Sequence, residues 1–306
     1  MDIFRLKTDQ ELIVDEPVVL VLGYFDALHC GHKKLFEEAR AIAQARQLKV
    51  AVLTFYESPK LAFARFTPDL LLHVTYPEKR YAKFAEYGVD QLYLMDFTSD
   101  FARTSSAEFI SRYIEGLQAK VVVVGFDYHF GHDKRPADDL KTAASCEVVI
   151  VPELQDDGEK ISSTRIRRAI SKGHIETTNR LLGYEFSTRG IVVHGDARGR
   201  TMGFPTANLA PIDRTFLPAD GVYVADILVK GNRYRSMTSV GKNVTFDGQD
   251  LRLEAHLFDF DEDIYGETIE ILWLSKIRDM IKFDSVEKLV EQLEFDKKIS
   301  KNWEKV

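Results

Sequence analysis

The chain has 306 residues, 41 basic and 48 acidic side chains, a net charge of -7 and 45% hydrophobic residues, the balance of an ordinary two-domain globular protein. That acidic surplus excludes a global pull toward nucleic acid or an anionic membrane, so any phosphate site has to be local. No apolar run approaches the roughly 20 residues that span a bilayer, and the opening MDIFRLKTDQEL lacks the basic and apolar regions of a secretory signal, so a cytoplasmic protein is expected.

In chain order, Val18–Leu22 reads as a buried strand, Lys33–Arg46 as a helix, Val50–Phe55 as a strand, Pro77–Tyr87 as a helix and Gln91–Met95 as a strand. A helix is expected over Ala107–Leu117, then strands over Lys120–Gly125 and Cys146–Pro152. Strands alternating with helices predict an α/β half with a parallel sheet, which binds ligands beyond the C-terminal ends of its strands. Helices Ser163–Lys172 and Glu176–Leu182 close this half, residues 1–183. From 184 to 306 the rhythm changes to strand-like runs at Glu185–Val193, Gly221–Val229, Arg233–Val240, Leu251–Phe258 and Glu267–Leu274, separated by turn residues. This half is expected to be a small antiparallel β-barrel. Val286, Leu289, Val290 and Leu293 recur at helical spacing, so one helix is expected to pack on it.

The first chemical segment follows the first strand: Gly23-Tyr24-Phe25-Asp26-Ala27-Leu28-His29-Cys30-Gly31-His32, leading straight into a helix. A strand, a glycine turn and a helix start gather backbone N–H groups and a helix dipole at one point, which suits a polyphosphate. His29 and His32 can donate hydrogen bonds there as charge builds in a displacement at phosphorus. Spacing alone also admits a pair of surface histidines or part of a metal site. The later segment Ile161-Ser162-Ser163-Thr164-Arg165-Ile166-Arg167 favours phosphate, because Ser163, Thr164 and Arg167 add matched donors at a helix start. Cys30 is assigned no role, and two cysteines are too few for a disulfide framework.

The second chemical segment is Gly195-Asp196-Ala197-Arg198-Gly199-Arg200-Thr201-Met202-Gly203-Phe204-Pro205-Thr206-Ala207-Asn208. Its glycines permit close backbone approach to phosphates, and Thr206 and Asn208, two residues apart on an extended stretch, present hard oxygens on one face suited to Mg²⁺. Glu254, among Leu251, Leu253 and Leu257, reads equally as a solvated rim charge or a base.

HxGH after the first strand together with ISSTxIR resembles the nucleotidyltransferases, specifically the FMN adenylyltransferase half of the bacterial bifunctional riboflavin kinase/FAD synthetases. Val124-Gly125-Phe126-Asp127-Tyr128-His129-Phe130-Gly131 is similar to that family's VGxDxxFG segment. Gly203-Phe204-Pro205-Thr206-Ala207-Asn208, Asp220-Gly221-Val222-Tyr223, Leu253-Glu254-Ala255-His256-Leu257-Phe258-Asp259-Phe260 and Asp263-Ile264-Tyr265-Gly266 resemble its riboflavin kinase signatures, as do Ile277-Arg278 and Lys282-Phe283. The resemblance implies a Rossmann-like nucleotidyltransferase domain followed by a riboflavin kinase-like barrel. It implies phosphorylation of riboflavin to FMN and adenylylation of FMN to FAD with release of pyrophosphate, using ATP and Mg²⁺.

By the same resemblance His29, His32 and Glu254 are catalytic, and Gly23, Phe25, Gly31, Asp127, Ser163, Thr164, Arg167, Gly199, Arg200 and Gly203 bind nucleotide. Phe130, Arg278 and Phe283 meet the flavin, and Thr206 and Asn208 hold the metal. The partners expected are the small molecules riboflavin, FMN and ATP, with no nucleic acid and no membrane, and with room for a weak homo-oligomer. The chain departs from the family at Thr54-Phe55-Tyr56-Glu57-Ser58-Pro59, which lacks a histidine, at Lys134 and Pro136, which replace an arginine and a glycine, and at Val244, which replaces a proline before Thr245-Phe246. Two rival readings are a kinase with a degenerate nucleotide- or flavin-binding first half, and a non-enzymatic flavin-binding regulator.

Overall fold

The computed structural model describes residues 1–7, 16–196, 198–242 and 251–304, so Val244, Thr245 and Phe246 lie outside the described residues. Packing divides the chain into two compact units, Met1–Leu72 with Pro77–Ser162, and His73–Tyr76 with Ser163–Val306.

In the first unit, β1 (Asp2–Leu6), β2 (Val18–Leu22), β3 (Lys49–Phe55), β4 (Gln91–Met95), β5 (Ala119–Gly125) and β6 (Glu147–Val151) form one sheet in the order β1-β4-β3-β2-β5-β6. Every ladder is parallel. Strand β2 lies inside the sheet, and all five of its residues are buried. Its side chains alternate: Val18, Leu20 and Leu22 join Phe109 and Tyr113 in one core, while Val19 and Val21 join Phe36 and Phe84 in the other. A strand covered on both faces has to be apolar at every position, which is why VVLVL forms it. Helices α1 (Cys30–Arg46) and α2 (Pro77–Glu86) supply the second core through Leu35, Phe36, Ala39 and Phe84. The order reverses at β2, whose neighbours are β3 and β5, and in such sheets ligands bind beyond the strand ends at the reversal, here Leu22 and Gly125.

Two local features differ from the sequence expectation. Strand β1 is exposed at four of five positions, so its sequence carries no alternation to reveal it. The helix expected over Ala107–Leu117 is one α-turn, Ser106–Phe109, followed by a π-helical turn, Ile110–Glu115, with Ile110, Tyr113 and Ile114 in the core.

In the second unit, β7 (Ser187–Val193), β8 (Ala207–Pro211), β9 (Gly221–Val229), β10 (Asn232–Lys242), β11 (Leu251–Leu257) and β12 (Thr268–Arg278) close into an antiparallel barrel in the order β7-β8-β11-β10-β9-β12. Buried Trp273 fills it and donates from Nε1 to Thr188 Oγ1 at 3.0 Å. Helices α4 (Ser163–Ser171) and α5 (Ile175–Leu182), numbered after α3 (Ala137–Ala143) of the first unit, pack with the barrel. Asn179 on α5 donates to the Trp273 carbonyl and accepts from the Phe186 N–H, both at 2.8 Å. The packing boundary therefore falls at Ser162/Ser163, ahead of the change of rhythm at residue 183.

The C-terminal helix α6 (Val286–Asn302) packs Val290 and Leu293 against Phe204, Met237 and Phe258, and its deepest contacts are polar. Val286 is exposed, and Leu289, Val290 and Leu293 are only half-buried. Its buried residues are Asp296 and Ser300. Arg278 on β12 donates to Asp296 Oδ2 from Nε at 3.0 Å and from Nη2 at 2.8 Å, and Gln292 donates to Asp296 Oδ1 at 2.8 Å. Arg235 holds the helix end by donating to the Ser300 carbonyl at 3.2 Å and the Trp303 carbonyl at 2.9 Å.

Removing one partner of a buried, bidentate ion pair strands the other charge, a loss of about 3–5 kcal/mol. Asp296→Ala is accordingly expected to lower barrel stability on that scale, read from the urea midpoint of tryptophan fluorescence. An unchanged midpoint would mean the helix is held by its apolar residues instead.

Candidate active sites

The loop after β2 carries two non-glycine residues in the left-handed region, Phe25 (φ 56°) and Leu28 (φ 43°), a strained backbone of the kind that collects at functional sites. These turns send the Phe25 ring inward, where it is 3% exposed and meets His32 edge-on at 5.0 Å and Phe36 at 5.2 Å. A Cβ on Gly23 would collide with that ring. The Phe25 ring is therefore the floor beneath His32.

His29 caps α1, its Nδ1 accepting the His32 N–H at 3.2 Å, and the two imidazoles stack with centroids 3.6 Å apart. Since a backbone N–H can only donate, a neutral His29 carries its proton on Nε2. Burial, aided by the nearby Lys160 charge, lowers the His29 pKa to about 4. Burial, with His29, Arg80 and Lys160 nearby, also holds His32 well below the ordinary histidine range. His32 Nδ1 is buried with no hydrogen-bond partner among the described residues. Gly31 leaves room for this arrangement: a Cβ there would stand 3.2 Å from the His29 ring and 3.9 Å from the Ile161 carbonyl oxygen.

Two residues that the motifs do not contain complete this site. Arg80 is 3% exposed and donates to the Phe55 carbonyl at 3.0 Å, Thr54 Oγ1 at 2.7 Å and the Tyr24 carbonyl, so one guanidinium ties together the loops after β2 and β3. Lys160 pairs with Asp127 and lies 4.6 Å over the exposed Phe126 ring. A charged residue on the core-facing side of α2 and a lysine just ahead of ISST were the available signals. Phe130 is 4% exposed and packs 6.0 Å from Phe109, so the open aromatic of this loop is Phe126. The two-residue hairpin pairing His129 with Pro136 and Phe130 with Arg135 turns His129 out and Phe130 in. Pro136 stands at the N-cap of α3 with φ -71°, a position that a proline ring satisfies. Ser163, Thr164 and Arg167 open α4, where the Arg167 guanidinium lies 5.8 Å over Phe216.

One cavity of the barrel half collects most of the residues expected there: Gly199, Thr206, Asn208, Glu254, Arg278 and Phe283. Antiparallel pairing places Glu254 directly opposite Asn208 on one side and Ser239 on the other. Burial raises the proton affinity of the Glu254 carboxyl, opposed by the Arg252 guanidinium 3.7 Å away. The glycine loop presses on the hard-oxygen side chains. A Cβ on Gly195 would fall within the Asn208 side chain, and one on Gly199 would strike the Phe204 carbonyl and approach Thr206 Oγ1 to 3.5 Å. A hydroxyl and an amide beside so close a backbone suit a magnesium ion that keeps its waters and takes further oxygens from a nucleotide. Thr206 and Arg200 also line a second cavity bordered by Tyr265. Gly203 lies outside both, its φ of 82° ending the turn at Arg198–Thr201. Arg278 reaches the first cavity while it holds Asp296, so its guanidinium also positions α6.

Comparison with known proteins agrees with both halves. The FAD synthetase family model matches residues 12–165 and the riboflavin kinase model matches residues 182–304. The bifunctional riboflavin kinase/FMN adenylyltransferase of Listeria monocytogenes is 41% identical over 91% of this chain and 90% of its own. That of Bacillus subtilis is 38% identical over 97% and 96%. A solved structure from Streptococcus pneumoniae, described as a macrolide-efflux protein, is 50% identical, covers 99% of this chain and 100% of that one, and superposes with a TM-score of 0.95. Among the described residues no helix is long and apolar enough to cross a membrane. With an FAD synthetase segment followed by a riboflavin kinase segment, and relatives of this identity along nearly its whole length, the chain belongs to the bifunctional riboflavin kinase/FMN adenylyltransferase family.

Proposed function

We propose that residues before about 184 adenylylate FMN at the histidine loop and that residues from about 184 onward phosphorylate riboflavin at the barrel cavity, both with ATP. The observation that carries the reading is the register pairing of Glu254 with Asn208 inside one cavity with Thr206. In the kinase step the Glu254 carboxylate accepts the proton of the riboflavin 5'-hydroxyl, whose oxygen attacks the γ-phosphorus of ATP as ADP leaves. Burial makes this carboxylate a stronger base than an exposed glutamate. Phe204, Phe283, Leu289 and Leu293 supply an apolar lining for a flat ring system. Thr206 and Asn208 would hold Mg²⁺, which when bound neutralises charge on the transferring phosphoryl group. Thr206 borders both cavities, which supports entry of the two substrates from opposite sides of β8.

In the adenylyl step a phosphate oxygen of FMN attacks the α-phosphorus of ATP and pyrophosphate departs. His29 Nε2–H and His32 are neutral donors packed against one another, so they meet growing negative charge without first breaking an ion pair. The resemblance extends the phosphate role to Ser163, Thr164 and Arg167. Cys30 and Cys146 form no disulfide, which suits a reducing cytoplasm.

His32→Ala is expected to stop FAD formation from added FMN while FMN formation from riboflavin continues, and Glu254→Gln to slow FMN formation by about 10²–10⁴-fold while sparing FAD formation. Chromatography of the flavins formed from riboflavin or FMN with ATP and Mg²⁺ checks both, and loss of both activities in either variant counts against the division. The histidine environment has its own test. With a folded pKa of about 4 against an ordinary 6.5, the unfolded chain binds the extra proton first, so the contribution of His29 to stability is present above pH 6.5 and is lost as pH falls toward 4. Nitrogen chemical shifts should show a neutral, Nε2-protonated His29 at pH 6, and an imidazolium there would remove the neutral-donor account.

A further inference from the structure

The pairing between β8 and β11 consists of Ala207 with Ala255 and Asn208 with Glu254, and the ladder ends there although the chain continues toward Phe204. At the next step of that register His256 faces Thr206. The stretch before Thr206 includes Pro205, which has no N–H to offer a neighbour. In place of a backbone bond, the His256 ring reaches across, and its Nδ1 lies 2.7 Å from the Pro205 carbonyl oxygen. A carbonyl only accepts, so the proton sits on His256 Nδ1.

The ring itself is fixed. His256 is 7% exposed and packs edge-on between Phe204, 5.5 Å away, and Phe258, 5.4 Å away. It lies two residues beyond Glu254 on β11, so both side chains point to the same face and line the same cavity. The Pro205 carbonyl shares a rigid peptide plane with the Thr206 nitrogen, so pinning that oxygen sets the direction in which Thr206 leaves the chain.

We propose that His256 is a positioning residue for the kinase: by donating from Nδ1 to the Pro205 carbonyl it orients the Thr206 hydroxyl relative to Asn208 and Glu254. This rests on the reading that Thr206 and Asn208 hold the divalent ion. His256 contacts no reacting atom in this account. Its effect passes through one peptide plane.

The distinguishing test uses asparagine. The Asn amide nitrogen is attached to Cγ, as His Nδ1 is, and can donate from the same place, whereas the Gln nitrogen is one bond farther out. In the full-length protein, Mg-ADP affinity measured by calorimetry is expected to fall about tenfold in His256→Ala and His256→Gln and to stay within about twofold in His256→Asn, the scale seen when a group supporting a metal ligand is removed. The KM for Mg-ATP should follow the same order, with conversion of added FMN to FAD unchanged in all three. Equal losses in the Asn and Ala variants, whether from misfolding or from a packing role, overturn the proposal, as does wild-type affinity in His256→Ala. If wild-type ADP affinity proves indifferent to Mg²⁺, the metal reading of Thr206 and Asn208 fails first and takes this inference with it.

Discussion

Both sites depend on backbone lying directly against a functional side chain, with glycine the only residue that leaves the space. At Gly31 the chain passes the His29 imidazole, and at Gly195 and Gly199 it presses on Asn208 and on the Phe204 carbonyl beside Thr206. A side chain at Gly195 or Gly199 would displace Asn208 or the Phe204 carbonyl, and one at Gly31 would crowd the His29 ring. The gain is rigidity: groups held by packing do not have to reorganise when charge develops on a phosphoryl group. The strained φ values of Phe25 and Leu28 belong to the same economy, since they let the loop turn sharply enough to set His32 on an aromatic floor.

Protonation is set by burial in both units, with opposite results for opposite chemistries. Desolvation disfavours charge, so it keeps two imidazoles neutral near a buried guanidinium and raises the proton affinity of the Glu254 carboxylate. Arg80 has a double part in this. Its hydrogen bonds join two strand-end loops, and its charge discourages a further cation at His32. On the barrel, Arg252 works against the burial of Glu254 and leaves the carboxyl less shifted than an isolated one would be.

The C-terminal helix shows how a polar contact can organise an apolar cavity. Leu289 and Leu293 line the cavity and are only half-buried, while Asp296 and Ser300 sit deepest. Arg278 therefore serves the site from its edge, since its guanidinium fixes the helix that carries the apolar lining. A buried ion pair adds little net stability over a well-packed apolar pair, but its geometry is specific, and it joins the helix to β12 alongside the packing of Val290 and Leu293.

Much of this was legible in the chain because local patterns report local requirements. Five consecutive apolar residues at Val18–Leu22 declare a strand covered on both faces, and HxGH and GFPTAN place chemical groups at a helix start and beside a strand. Other facts had no local signature. That β2 lies between β3 and β5, that Phe25 and Phe130 turn inward, that Arg80 holds two distant loops, and that His256 meets Pro205 all join residues far apart in the chain or depend on which face a loop presents. Alone, then, the sequence determined most element types, an α/β half followed by a barrel half, and the family to which the chain belongs. Strand order, side-chain direction and protonation were decided only by tertiary packing, because pairing partners and burial are properties of the assembled chain rather than of any segment of it.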